Sequence, residues 1–163
     1  MVSSTRQGYS GLQILLHWVI AALVLFQLIF GESMAEVKDA LEEGLVPDPA
    51  EQTMADAHYW VGIAILVLVA LRIILRVVQG APAPIGSGPQ LLIAKGIHAI
   101  FYLLLIAVPV TGLLAVYVNE ELGEVHEIGK PLFIAFIVLH VLGALFHHFK
   151  LKDETLRRMF VPR

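Results

Sequence analysis

Read by its hydrophobic pattern, the chain falls into four long apolar runs, at about residues 12–30, 58–78, 91–118 and 125–149. Each is long enough to cross the hydrocarbon core of a bilayer, which takes about 20 residues of helix. Strands are excluded, because an open sheet edge would leave backbone N–H and C=O groups unpaired in lipid. The pattern therefore predicts an all-α integral membrane protein, a four-transmembrane-helix bundle, as a single membrane domain over residues 1–163. Pro109 interrupts the character of the third run, which is still expected as one span over about 91–118.

The connections differ in character. Residues 31–57 are acidic and predict a short surface helix before "VPDP". "QGAPAPIGSGP" is a Pro/Gly loop that ends one helix and starts the next. "NEELGE" is a short acidic turn. The first run is no signal peptide. It is long, only Arg6 precedes it among basic residues, and "GESMAE" is a poor cleavage site.

Composition agrees. Hydrophobic residues make up 58% of the 163 residues, against about 45–50% in an ordinary soluble domain. Cysteine is absent. That removes disulfides, iron–sulfur ligation, thiolate metal sites and covalent haem attachment. The expected environment is the lipid bilayer, with no nucleic-acid partner.

Charge predicts orientation. Four spans put both termini on one side, together with the middle loop. That side carries Arg6, Arg72, Arg76, Lys95, Lys150, Lys152, Arg157, Arg158 and Arg163, and the other carries only Lys38 and Lys130. Lys and Arg accumulate on the cytoplasmic side, so both termini are expected in the cytoplasm. The outer side carries Glu32, Glu36, Asp39, Glu42, Glu43, Asp48, Glu51, Asp56, Glu120, Glu121, Glu124 and Glu127. It is strongly anionic.

Histidine supplies the candidate chemistry, because an ionisable side chain inside a membrane is costly unless something uses it. The alternating direction of the spans places His17 and His140 towards the cytoplasm and His58 and His126 towards the outside. Fourteen residues separate His126 from His140, a rise of about 21 Å with nearly the same helical phase. His58 can then face His126, and His17 can face His140. Two cross-helix histidine pairs at two depths suit two bis-histidine haems built for electron transfer. The same offset from His17 and His98 reaches Gly31 and Gly112, which leave room beside the outer haem. Gly62 and Gly143, one turn beyond His58 and His140, thin their helices. The offset from His58 reaches Arg72, a cation for haem propionates or an anionic quinone species. Trp18 and Trp60 read as interface anchors. His148, Arg76 and the C-terminal basic residues read as helix-end and orientation signals.

"LLHW", "HYWVGIAILVLVALRIILR", "HAIFYLLLIAVPVTG", "HEIGK", "LHVLGALFHHF" and "DETLRRMF" together resemble the bacterial cytochrome b561 family over nearly the whole chain. The resemblance implies a multi-pass protein of the bacterial inner membrane with two b haems that reacts with ubiquinone or another membrane quinone. It places the haem ligands on His17, His58, His126 and His140, and a quinone site near His98, His147 and Arg72. One branch of that family oxidises superoxide outside and reduces ubiquinone near the cytoplasmic side. Superoxide is an anion, however, and fast capture calls for positive potential. The carboxylate-rich outer side better suits a cationic redox protein as donor.

Three readings stand: a di-haem cytochrome linking an outer donor to quinone, a superoxide:ubiquinone oxidoreductase of the same build, and a non-haem membrane protein whose histidines bind metal or relay protons. The charge asymmetry gives the first testable expectation. A C-terminal reporter active only in the cytoplasm should be active, and a periplasmic signal would reverse the orientation.

Overall fold

Side-chain caps start two of the helices. Ser10 caps the first with a reciprocal box. Gln13 N–H donates to Ser10 Oγ at 3.3 Å, and Ser10 N–H donates to Gln13 Oε1 at 3.1 Å. The helix, α1, runs Gly11–Phe30 and continues with little pause into α2, Glu32–Glu42. Asp48 caps α3 by accepting from Ala50 N–H at 2.7 Å, with Pro49 at the first turn. As a result α3 spans Pro49–Gln79, beginning nine residues before the expected 58. The sequence reading followed the apolar run and missed the cap. Gly80 ends it at a positive φ of 75°.

The computed structural model describes residues 8–162, so Arg6 and Arg163 lie outside the described residues. α4 spans Gly88–Tyr117 with Pro109 inside it. The helix runs through Pro109 as one element. Proline removes only the bond to Leu105 carbonyl, and the helix tolerates that. α5, Leu122–Glu127, and α6, Gly129–Phe146, meet at Ile128, which keeps helical dihedrals of −58° and −24°. His126 thus belongs to α5, and the fourth run is one span with a single irregular residue. Its end is a turn of π-helix, His147–Leu151, not the expected regular helix to 149.

Four helical stretches are long and apolar enough to cross a membrane, and no strand occurs among the described residues. Their packed seam is Ile20, Val24, Ile65, Val69, Leu104 and Phe133. Outward faces stay apolar, with Leu15, Ile29, Val77, Leu103 and Leu142 all more than half exposed. Such continuous apolar surface marks a lipid-facing wall. Both described ends meet at one end of the bundle. Trp18 Nε1 donates to Met159 carbonyl at 2.8 Å, and Arg158 Nη1 donates to Ala83 carbonyl at 2.9 Å. Trp18, expected only as an interface anchor, therefore clasps the C-terminal segment.

α4 and α6 approach closely at Gly129, where a Cβ would fall 2.6 Å from Val108 Cγ1. Gly129→Ala should lower stability by about 1–3 kcal/mol through overpacking. Adding Val108→Ala should restore much of the loss. Thermal unfolding in detergent checks this, and equal instability of single and double variants would place the strain elsewhere.

Candidate functional site

The histidines gather at two levels. At the loop end, His58 of α3 faces His126 of α5, with ring centroids 5.9 Å apart. His126 is oriented by α4. Its Nδ1 lies 2.7 Å from the Val108 carbonyl. A carbonyl only accepts, so Nδ1 carries the proton and Nε2 keeps a lone pair for a metal. The ring reaches that carbonyl because residue 112 is glycine, whose added Cβ would lie 2.9 Å from His126 Nδ1. Gly31 does the same for His58, where a Cβ would stand 3.3 Å from Cε1. The two glycines thus make room for the imidazoles themselves. A Cβ on Gly143 would meet nothing within 4 Å, and one on Gly62 would meet Gln27 Nε2 at 3.4 Å.

At the termini end, His17 of α1 and His140 of α6 stand 6.3 Å apart by ring centroid. His98 of α4 is 5.3 Å from His140, and Phe101 is 5.4 Å from it. His98 Nδ1 donates to the Ala94 carbonyl at 2.6 Å. Arg72 Nη1 donates to the Gln13 carbonyl at 2.7 Å, and Nη2 is 3.5 Å from His17 Nδ1, too long for a firm bond. Arg72 also lines a small cleft with Tyr9, Gln13, Arg76 and Tyr102.

His147 stands apart from this group. Its contacts are with Asp153 Oδ2 at 2.6 Å, Thr155 Oγ1 at 3.4 Å and the Phe146 ring. None is with His98 or Arg72. The expected trio is therefore spread along one end of the bundle rather than converging on one point. Burial pushes the Asp153 carboxyl up, but hydrogen bonds from Thr155 and His147 outweigh it and leave its pKa below the ordinary aspartate value.

Two glutamines were not singled out by the sequence reading. Gln13 Nε2 donates to the Gly80 carbonyl at 3.0 Å, so one residue caps α1, holds the end of α3 and carries Arg72. Its signal was the Ser-x-x-Gln capping pattern. Gln27 Nε2 donates to the His58 carbonyl at 2.9 Å. An amide inside an oily run was its signal.

What can these pairs hold? No three His, Asp or Glu side chains converge on one metal-sized point among the described residues, so a metal ligated by the protein alone lacks a donor set. A porphyrin brings its own equatorial nitrogens and needs two axial ones. Metal–imidazole bonds of about 2 Å, with roughly 1 Å from each nitrogen to its ring centre, call for centroids about 6 Å apart. The spacings of 5.9 Å and 6.3 Å fit, while 5.3 Å for His98–His140 is short. His58 Nδ1 is also buried without a hydrogen-bond partner, which asks for an explanation beyond the packed side chains. The residues fit haem b.

Comparison with known proteins agrees. A family model described as prokaryotic cytochrome b561 matches residues 8–162. Cytochrome b562 of Cereibacter sphaeroides is 38% identical over 157 residues, covering 96% of this chain and 97% of that protein. A probable superoxide oxidase CybB of Yersinia pestis is 33% identical, covering 94% and 96%. Cytochrome b561 homolog 1 of Escherichia coli is 28% identical, covering 95% and 97%.

The close seat of His126 is testable. Gly112→Ala should displace the ring and lower the unfolding temperature, at a cost of about 1–3 kcal/mol. Gly123→Ala, whose Cβ meets nothing within 4 Å, should be nearly neutral. Equal stability of the two variants would mean that His126 does not rest on α4.

Proposed function

The chain belongs to the prokaryotic cytochrome b561 family, and from that premise we propose that it is a di-haem cytochrome carrying electrons from an outer donor to a membrane quinone. It is a bacterial membrane protein of an electron-transfer family that binds b-type haem. The number of haems, the quinone and the direction are the proposal. One observation carries it: two histidine pairs, each at haem-ligand spacing, at opposite ends of the bundle.

His17 and His140 would hold one haem at the termini end, and His58 and His126 another at the loop end. Each haem supplies a one-electron couple when bound. The helices set the ligand geometry around it and keep lipid and water out. His126 keeps its tautomer through the Val108 carbonyl. Arg72 offers a fixed cation beside His17, suited to a propionate or to a reduced quinone. His98 and His147 lie at the same end, where a quinone can enter from the bilayer. With both termini in the cytoplasm of an inner-membrane protein, electrons enter at the outer haem and leave at the inner one.

Charge favours a cationic redox protein as donor. Lys130 is paired with Glu32, and Lys38 with Glu42 and Glu120 at 3.5 and 3.8 Å. Neither lysine is left to steer an anion. The second reading, superoxide oxidation, is favoured by the relative named as a probable superoxide oxidase.

Stopped-flow measurement on protein in lipid nanodiscs separates these ideas. Reduction by a small basic cytochrome should be fast and slow down as salt rises, because exposed charges are screened within about 10 Å at 0.1 M. Superoxide should reduce the protein more slowly. His58→Ala should lose one haem, spare the other and block this entry. Arg72→Ala should keep both haems and slow reoxidation by a ubiquinone analogue at least tenfold. Salt-independent reduction outpaced by superoxide would select the second reading. Unchanged reoxidation in Arg72→Ala would move the quinone elsewhere.

A further inference from the structure

The turn that ends the last span builds a contact that the haem pairs do not need. The span ends in a π-turn closed by a left-handed residue, a form that helix C-termini use to pair their last carbonyls. Here the Lys152 N–H reaches the His147 carbonyl, and Lys152 itself takes a left-handed φ of 53°, uncommon for a residue with a side chain. The Asp153 N–H donates to the same carbonyl at 3.3 Å. The chain thereby doubles back and lays the Asp153 carboxylate on the imidazole of His147 at 2.6 Å. The second carboxylate oxygen accepts from Thr155 N–H at 2.9 Å, which fixes its direction. The two side chains are only 16% and 17% exposed, while the neighbouring Lys150, Lys152 and Glu154 face outward. Backbone bonds already close this helix end, so the side-chain pair is not needed as a cap.

A carboxylate can only accept, so Nδ1 of His147 carries the proton and faces Asp153. Its Nε2 has no hydrogen-bond partner among the described residues. Phe146 and Phe149 flank the ring's turn and are exposed on the apolar surface. The imidazole thus stands at the border between the oily span and the basic C-terminal segment.

We propose that Asp153 is the positioning residue of a proton-exchange dyad, holding His147 so that Nε2 serves a quinone reduced at this end of the bundle. The inference rests on the quinone reading above. Nε2 takes a proton from water, giving an imidazolium whose Nδ1–H stays on the Asp153 carboxylate. As the reduced protein gives an electron to the quinone, the Nε2–H bond breaks and an O–H bond forms on a quinone oxygen. The imidazole returns to neutral and is reloaded from water. Two electrons and two such protons complete the quinol. A buried carboxylate acts in this way on a histidine base by fixing its tautomer and steadying its charged form.

The test uses the haem-loaded protein in nanodiscs with ¹⁵N-labelled histidine. The His147 signal, identified by its loss in His147→Gln, should show one neutral tautomer with the proton on Nδ1. Asp153→Ala should mix the tautomers. Asp153→Ala and His147→Gln should each slow quinone reoxidation at least tenfold and raise its solvent deuterium isotope effect. Haem content and reduction by the donor should stay unchanged, and Asp153→Glu should recover part of the rate. Asp153→Asn serves if the alanine variant fails to fold. It removes the charge that steadies the imidazolium, so reoxidation should slow whichever way the amide points. Slow reoxidation in His147→Gln with a wild-type rate in the Asp153 variants would remove Asp153 from the role and leave the quinone reading standing. Wild-type rates in both, with Arg72→Ala slow, would take the dyad off the proton path. Wild-type rates in all three would overturn the quinone reading itself.

Discussion

An imidazole between oily helices must satisfy two ring nitrogens where no bulk water can help, a requirement that protein groups meet at some of the histidines while His58 Nδ1 is left without a hydrogen-bond partner. A buried polar atom left without a partner costs about 1–3 kcal/mol. His126 meets the requirement with one nitrogen on a backbone carbonyl of the neighbouring helix. His98 uses a carbonyl of its own helix, and His147 uses a carboxylate. In each case the proton sits on Nδ1 and Nε2 is left to other chemistry. The glycines follow from the same demand. Gly112 lies where any side chain would collide with the His126 ring, and Gly31 where a Cβ would meet the Gln27 carbonyl at 2.7 Å and crowd the His58 ring at 3.3 Å.

This constraint also divides the molecule into two levels. At the loop end the pair is held by the Gln27 amide on the His58 carbonyl and by the Val108 carbonyl on His126. At the termini end His17 and His140 are joined by His98, Arg72 and, further out, the His147–Asp153 dyad. One level holds a single pair of imidazoles. The other adds a third imidazole, a guanidinium and a histidine–carboxylate pair. Quinone chemistry needs both electrons and protons, which is why the richer end is the proposed place for it. The C-terminal segment closes over that end through Trp18 and Arg158, so the segment carrying Asp153 is anchored to the bundle.

Much of this was legible beforehand. Apolar runs of spanning length gave the helices, and depth along them gave the neighbours His17–His140 and His58–His126, which the structure brings together. What was hidden depended on local polar bonds rather than hydropathy. Asp48 and Pro49 start α3 well before its apolar run. The continuity of α4 through Pro109 shows that a lost hydrogen bond can be tolerated within a long helix. The wrap of the chain beyond His147 could not be read at all, since a π-turn and a left-handed lysine have no hydrophobic period. His147, expected in one site with His98 and Arg72, is instead engaged by Asp153 through this turn.

The central claim is that the two histidine pairs each hold a haem through both faces. The most direct measurement is haem content per chain, taken together with low-temperature electron paramagnetic resonance of the oxidised, purified protein. The account predicts two haems per chain, both low-spin ferric, with no high-spin component, because every iron has two imidazole ligands. One haem per chain, or a dominant high-spin signal from an iron with an open position, would contradict it.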